Sequence, residues 1–345
     1  MNTMAPAQKT SASALASIYE PVAKELAQTT ELLKERLRHL DPTFDRYLKY
    51  SFKLGGKRLR PVLVLLCGQA AGKIDDRSRI VAAALEMIHT GSLVHDDILD
   101  GAKFRRQFET INAKWDSQRA VLIGDLLIAR AVELVCECED FYVFNKVAAC
   151  CQRTVEGELY QTESAGNLQL TRDDYMKIIG GKTASLLECA AVLGAYLGGA
   201  PKADLDKYAR VGQSLGVAFQ IVDDVLDLVG DEEKLGKTLG TDLENKKETL
   251  PLIVYFENAT DEDRAKMHKR IDLGVKAEDR AEVAAILKES GAVDEAIGEA
   301  KKLVEEALAI IAGLRETAQD DEREDALAAL DSLAQLARFV VKRDK

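Results

Sequence analysis

Apolar residues recur at helical spacing along nearly the whole chain. Residues 80–95, 120–135, 175–197 and 208–228 are long runs rich in Ala and Leu. They are apolar on nearly every side, which predicts buried helices. From residue 261 onward charge is denser, and 294–311 and 325–341 predict surface helices with one apolar face. Gly55-Gly56 leads into a run with Pro61 in its first turn, the pattern of a loop feeding a helix. Residues 230–242, rich in Gly, Lys and Asp, read as a loop, and no strand-turn-strand signal stands out. The pattern predicts an all-α fold with inner apolar helices surrounded by amphipathic ones. One domain is expected over 19–345, after a flexible arm over 1–18.

Composition narrows the function. Among 345 residues, 47 Lys and Arg face 58 Asp and Glu, a net charge of -11. General nucleic-acid binding is therefore not expected, since phosphate neutralisation needs basic surface. No uncharged apolar run reaches the ~18 residues of a membrane span, so the chain is not expected to cross a bilayer. The N-terminus lacks an apolar stretch after a basic start, the mark of a secretory signal. Cys67, Cys136, Cys138, Cys150, Cys151 and Cys189 then read as reduced thiols in a cytoplasmic protein. Cys136 and Cys138 point to different helix faces with no His nearby, which argues against zinc.

One feature recurs. An apolar run ends in Asp-Asp-x-x-Asp at Asp96, Asp97 and Asp100, and again at Asp223, Asp224 and Asp227. On a helix the first and last acids of each cluster are one turn apart and share a face. Two carboxylates about 6 Å apart repel by roughly 3 kcal/mol at an effective dielectric near 20. They also sit at the carboxyl end of a helix, the unfavourable end for negative charge. A divalent cation that prefers hard oxygen offsets this directly, and Mg²⁺ commonly joins a few carboxylates to substrate phosphates. If the two helices lie side by side, the clusters can face each other across a cavity and share a Mg²⁺-bound diphosphate.

Cations accompany the acids in order. Gly55-Gly56-Lys57-Arg58-Leu59-Arg60 places three on a glycine-permissive loop before a helix N-terminus, where backbone amides also favour anions. Arg105-Arg106 follows the first cluster. Lys182 and Thr183 follow Gly180-Gly181, and Lys237, Lys246 and Lys247 follow the second cluster. His89 lies two turns before Asp96 on nearly the same face.

Taken in order, GGKRLRP, DDILD with FRRQFETIN, GGKTASLL, FQIVDDVLDLVGD and GKTLGTDLENKKETLP resemble the motif set of trans-isoprenyl diphosphate synthases, the polyprenyl synthetases. The motifs run from Gly55 to Pro251. The resemblance implies about ten helices around a deep central cavity, usually in a homodimer. It implies condensation of an allylic diphosphate with isopentenyl diphosphate, dependent on Mg²⁺ (three ions with substrate bound, Mn²⁺ as a substitute). Lys57, Arg60, His89 and Arg106 would hold the diphosphate of isopentenyl diphosphate, and Arg105 that of the allylic substrate. Asp96 and Asp100 would ligate metal with Asp97 in support. Asp223 would hold a further ion, helped by Asp227 and Asp242. Lys182, Thr183, Gln220, Lys237 and Lys247 would contact the allylic substrate. Asp96, Asp100, Arg105, Lys182, Asp223 and Lys237 form the implied catalytic set.

Two motifs depart from the family pattern. Gln107 and Glu109 replace a Gly and a Pro, and Lys246 replaces a Gly. The charged residues survive, so loop geometry rather than chemistry is affected. Ser92, Gly91 and Ile88, just below Asp96, are the expected chain-length wall. None is aromatic, which predicts a product longer than C20, in the range C30–C50. The alternatives are a geranylgeranyl or farnesyl diphosphate synthase, a class I terpene cyclase, or a non-catalytic partner subunit. The cyclase's usual second metal motif does not fit Asp223–Asp227, and a non-catalytic subunit would be expected to lose acids or cations.

Overall fold

Helix begins earlier than the N-terminal composition suggests. In the computed structural model, which describes residues 14–38, 41–53, 56–230, 240–272 and 277–342, residues 14–19 are already helical (α1). Leu15 and Ile18, one turn apart, are both buried, so the expected arm over 1–18 is shorter at its inner end. A 3₁₀ turn joins α1 to α2 (Ala23–Arg36), followed by α3 (Pro42–Lys53) and α4 (Leu59–Ala71). Next comes α5 (Asp76–Leu99), which carries the first acid cluster. The Asp75 side chain accepts the Ser78 N–H, and Ser78 Oγ accepts the Asp75 N–H, a reciprocal cap that starts this helix.

After α5 the chain makes a two-residue hairpin, β1 (Phe104–Arg105) with β2 (Phe108–Glu109), where no strand was expected. Phe104 pairs with Glu109 and Arg105 with Phe108. Arg106 and Gln107 both have positive φ, 50° and 69°, the backbone of a type I′ turn. The signal was missed because this turn favours Gly, Asn or Asp, and Arg-Gln does not advertise it.

Helices α6 (Ile111–Lys114), α7 (Ser117–Cys136) and α8 (Phe141–Ser164) follow. Then α9 (Arg172–Ile179) runs through a π-helical turn at Gly180–Ala184 into α10 (Ser185–Gly198). This 27-residue stretch is long and apolar enough to cross a membrane, but 78% of its most apolar window is buried inside the protein. It is a core helix by that burial. The remaining helices are α11 (Leu205–Val229), α12 (Thr241–Glu244), α13 (Leu250–Asn258), α14 (Asp261–Asp272), α15 (Ala277–Glu289), α16 (Ala292–Asp320) and α17 (Glu324–Val341).

The domain expected over 19–345 divides into two compact units. The first takes Met1–Cys151, Leu186–Gly212 and Ile310–Leu336; the second takes Gln152–Ser185, Gln213–Ala309 and Ala337–Lys345. In the first unit α4 is buried along most of its length, from Pro61 to Ala70 with Gln69 partly exposed. Glycines let α10 approach α4 to backbone contact. A Cβ on Gly194 would lie 2.2 Å from the Val64 carbonyl oxygen, and one on Gly198 would lie 2.4 Å from that of Gly68. In the second unit, a Cβ on Gly157 of α8 would lie 2.2 Å from the Lys182 nitrogen. That contact seats the π-helical turn against α8.

Gly194→Ala, an exchange that favours an isolated helix, is expected to destabilise the protein by about 1–3 kcal/mol through overpacking. Urea denaturation checks this, and an unchanged or raised midpoint would contradict the close approach of α4 and α10.

Candidate active site

In the first unit, the acid cluster closes α5. The Asp100 N–H donates to the Asp96 carbonyl at 2.8 Å, which puts the two residues one turn apart. Both are partly exposed. Asp97 is only 1% exposed, and its Oδ1 accepts from Arg105 Nε and Nη2, each at 2.9 Å. Its Oδ2 is buried with no hydrogen-bond partner. Burial raises the Asp97 pKa, the Arg105 guanidinium opposes that, and the Asp100 charge adds to it. Asp97 thus holds Arg105, and Asp96 and Asp100 are the candidate metal handle.

Among the described residues, no group of three or more His, Cys, Asp or Glu side chains could hold a metal ion. Two hard carboxylates one turn apart and partly exposed nonetheless fit Mg²⁺. That ion takes one or two protein carboxylates and completes its shell with water and phosphate oxygen.

A cation cluster gathers around Glu86 and His89 in the same unit. Glu86 is 3% exposed, and Arg58 Nε lies 3.7 Å from its Oε1. Burial raises the Glu86 pKa, while Arg58, Arg60 and Arg106 pull it down. The Arg106 guanidinium occupies the space above Gly56, where a Cβ would meet Nη1 at 2.2 Å. Arg60 Nε is buried with no hydrogen-bond partner, and burial lowers the Arg60 pKa to about 10. Burial drives the His89 pKa well below its ordinary value, and Arg60, Arg105 and Arg106 push the same way. His89 is therefore neutral at pH 7 and can bond an anion without adding charge. Lys57 is exposed, and its carbonyl accepts from the Tyr19 hydroxyl at 2.7 Å.

The second unit gathers the other predicted residues. The π-helical turn carries Lys182 and Thr183, and such bulges re-aim side chains out of helical register. Thr183 Oγ1 donates to Gln220 Oε1, Gln220 Nε2 donates to Asp224 Oδ1, and the Tyr175 hydroxyl donates to Asp224 Oδ2, each at 2.7 Å. Asp224 is buried and pushed up to about 8 by burial first and then by the Asp242 charge. Asp227 is buried too, and its Oδ2 accepts the Asp242 N–H at 3.1 Å. Asp223 and Asp242 stay partly exposed. Lys182 pairs with Glu158, and Lys247 Nζ lies 3.9 Å from Asp242 Oδ1. A cavity of about 80 Å³ is lined by Gln161, Tyr175, Lys182, Gln220, Asp242, Lys247 and Glu248, among others. Lys237 lies outside the described residues.

Glu86, Glu158, Gln161, Tyr175 and Glu248 escaped the sequence reading. Glu86 had a usable signal, since it lies one turn before His89 on nearly the same face. The others are brought to the site by tertiary packing alone. The two departures from the family pattern meet at one backbone property. Gln107 and Lys246 have φ of 69° and 51°, the left-handed region that glycine adopts without cost. Both loops keep a glycine-like course with a side chain on it.

The expected chain-length wall divides. Ser92 is partly exposed and shares the α5 face of His89 and Asp96, its Oγ donating to the His89 carbonyl at 2.9 Å. Gly91 instead faces α7, where a Cβ would lie 3.0 Å from the Gly124 carbonyl and 3.1 Å from Ile128 Cγ1. Ile88 is buried at 3% exposure, one turn before both Gly91 and Ser92. Gly91 is therefore a packing residue of the α5–α7 contact and not part of a wall.

Glu248 is 8% exposed, with Oε1 buried and unpartnered. Burial raises its pKa to about 7, against its own N–H, the Gly166 N–H and Lys246. The fold favours the protonated form. Its contribution to stability is complete below the ordinary value of 4.5 and is lost as pH rises through about 7. Glu248→Gln is expected to raise the thermal midpoint near pH 8 by roughly 2–4 °C, with the gain vanishing toward pH 5. Calorimetry at both pH values checks this, and a pH-independent shift would contradict the assignment.

The polyprenyl synthetase family pattern matches residues 41–290. The chain is 36% identical over 292 residues to the all-trans-nonaprenyl-diphosphate synthase (geranyl-diphosphate specific) of Rhodobacter capsulatus, covering 84% of this chain and 89% of that one. It is also 36% identical over 251 residues to the short chain isoprenyl diphosphate synthase of Methanothermobacter thermautotrophicus, covering 70% and 77%. Its structure is similar to the polyprenyl synthase from Caulobacter crescentus complexed with calcium and isoprenyl diphosphate. The TM-score is 0.88 at 30% identity, over 96% of this chain and 98% of that one. With acids, cations and fold in the family's order, the chain belongs to the polyprenyl synthetase family and is an enzyme of the trans-prenyl diphosphate synthase class.

Proposed function

We propose that this protein condenses an allylic diphosphate with successive isopentenyl diphosphates to make an all-trans polyprenyl diphosphate longer than C20. The observation that carries the substrate reading is the cluster of Arg60, Arg105 and Arg106 around neutral His89, with Arg60 Nε buried and unpartnered. An anion-sized group with several oxygens satisfies those donors.

Lys57, Arg60, His89 and Arg106 hold isopentenyl diphosphate. Arg105, Lys182, Thr183, Gln220 and Lys247 hold the allylic diphosphate, with Lys237 added from the motif. Asp96 and Asp100, and Asp223 with Asp227 and Asp242, would hold Mg²⁺. When bound, Mg²⁺ supplies positive charge to the diphosphate oxygens. The lysines and arginines neutralise the charge that builds on the departing diphosphate. The carbon–oxygen bond breaks, and the isopentenyl double bond attacks the allylic carbon left behind. A proton then passes to the released diphosphate. Apolar side chains around the reacting carbons exclude water, which would trap the cation.

Three features support a long product and a homodimer. Ser92, on the face of His89 and Asp96, is small. The R. capsulatus relative makes a nonaprenyl product. In the first unit, α7 and the start of α8 expose Val121, Leu122, Val132, Phe141 and Phe144, the surface a second copy would cover.

The chain incubated with Mg²⁺, farnesyl diphosphate and isopentenyl diphosphate is expected to yield a linear polyprenyl diphosphate longer than C20, sized after extraction. A cyclic hydrocarbon or no product would overturn the reading. Ser92→Phe is expected to shorten the product by one or more C5 units. Asp96→Asn is expected to lower kcat by about a hundredfold.

A further inference from the structure

The last turn of α5 carries three carboxylates at a helix carboxyl end. Their mutual repulsion and the helix dipole both favour fraying there. If the turn frays, Asp96 and Asp100 lose their common face. On one side Asp97 is tied down, its carboxylate by Arg105 and its carbonyl by Asn112 Nδ2 at 3.2 Å and the Ala102 N–H at 2.9 Å.

On the opposite side stands His95, next to Asp96 in sequence. Its Nε2 lies 3.1 Å from the Val121 carbonyl of α7, so that nitrogen carries the hydrogen and donates it. Asp125 Oδ1 is 3.6 Å from the same nitrogen. The ring rests directly on Gly124, where a Cβ would fall 2.1 Å from Nε2 and 2.5 Å from Cδ2. Gly124 has no turn or positive φ to explain a glycine in the middle of α7. Its missing side chain makes the seat for the imidazole.

We propose that His95, seated on Gly124 and bonded to the Val121 carbonyl, is a positioning residue that locks the last turn of α5 and so holds Asp96 and Asp100 in metal-binding register. The inference rests on the reading of Asp96 and Asp100 as the metal handle. Supporting side chains of this kind change metal affinity by about 10–100-fold when removed.

Two substitutions attack the lock from opposite sides. His95→Ala removes the donor. Gly124→Ala leaves the donor but evicts the ring, while improving the intrinsic helix propensity of α7. The full-length protein is titrated with Mn²⁺ in the presence of inorganic pyrophosphate, with free Mn²⁺ read by electron paramagnetic resonance and thermal midpoints recorded in parallel. Both variants are expected to weaken Mn²⁺ binding by about tenfold. Gly124→Ala should do so without a lower thermal midpoint. The double variant should be no weaker than either single one, because both break one contact. His95→Gln, whose amide nitrogen reaches the Val121 carbonyl, should restore affinity to within about twofold of the natural protein. Unchanged Mn²⁺ affinity in Gly124→Ala, additive losses, or no rescue by Gln would each overturn the proposal. Failure of the natural protein to bind Mn²⁺ with pyrophosphate would instead overturn the reading of the metal handle beneath it.

Discussion

Negative charge at the carboxyl ends of two apolar helices is the constraint from which the rest of the site follows. Both α5 and α11 present Asp-Asp-x-x-Asp where the helix dipole already disfavours anions. The two units solve the problem differently. In α5 the middle acid, Asp97, is buried against an Arg105 guanidinium. In α11 the middle acid, Asp224, is buried among neutral donors, Tyr175 and Gln220, and Asp227 takes a backbone N–H. A buried carboxylate facing a cation keeps its charge more easily than one facing neutral donors, so Asp224 is pushed up to about 8. Asp96, Asp100, Asp223 and Asp242 by contrast stay partly exposed.

The cations obey the same economy. Arg105 rests on Asp97, Lys182 on Glu158, Arg58 beside Glu86, and Lys247 near Asp242. A chain with net charge -11 keeps these cations paired with its own acids. Under the proposed function, a diphosphate would bind by exchange of partners, which costs less than desolvating bare ammonium and guanidinium groups. Arg60 is the exception, with a buried donor left over. An unmet donor beside a neutral imidazole is the place where an incoming anion gains most.

The all-α architecture was legible because buried helices announce themselves by composition and length. The site was legible as far as charge pattern reaches, to the two acid clusters and the order of the cations. Contacts set by tertiary packing were not. The π-helical turn depends on Gly157 and Gly181 meeting across α8 and the turn, which no local pattern encodes. The hairpin was hidden by Arg106 and Gln107 in left-handed conformations that other residues usually fill. Glu86 could have been read from its spacing to His89, but a buried glutamate cannot be told from a solvated one without knowing what covers it.

The division between Ser92 and Gly91 sharpens the question of product length. Adjacent helix residues point about 100° apart, so a wall read from sequence as two neighbours can involve only one of them on a given face. His89, Ser92 and Asp96 share a face by i+3 and i+4 spacing, and continuing it toward the N-terminus reaches Leu85. Leu85 has no exposed surface, whereas Ser92 is partly exposed. Running toward the N-terminus from Asp96, this face presents a small hydroxyl at Ser92, then the His89 imidazole one turn lower, and Leu85 a further turn below.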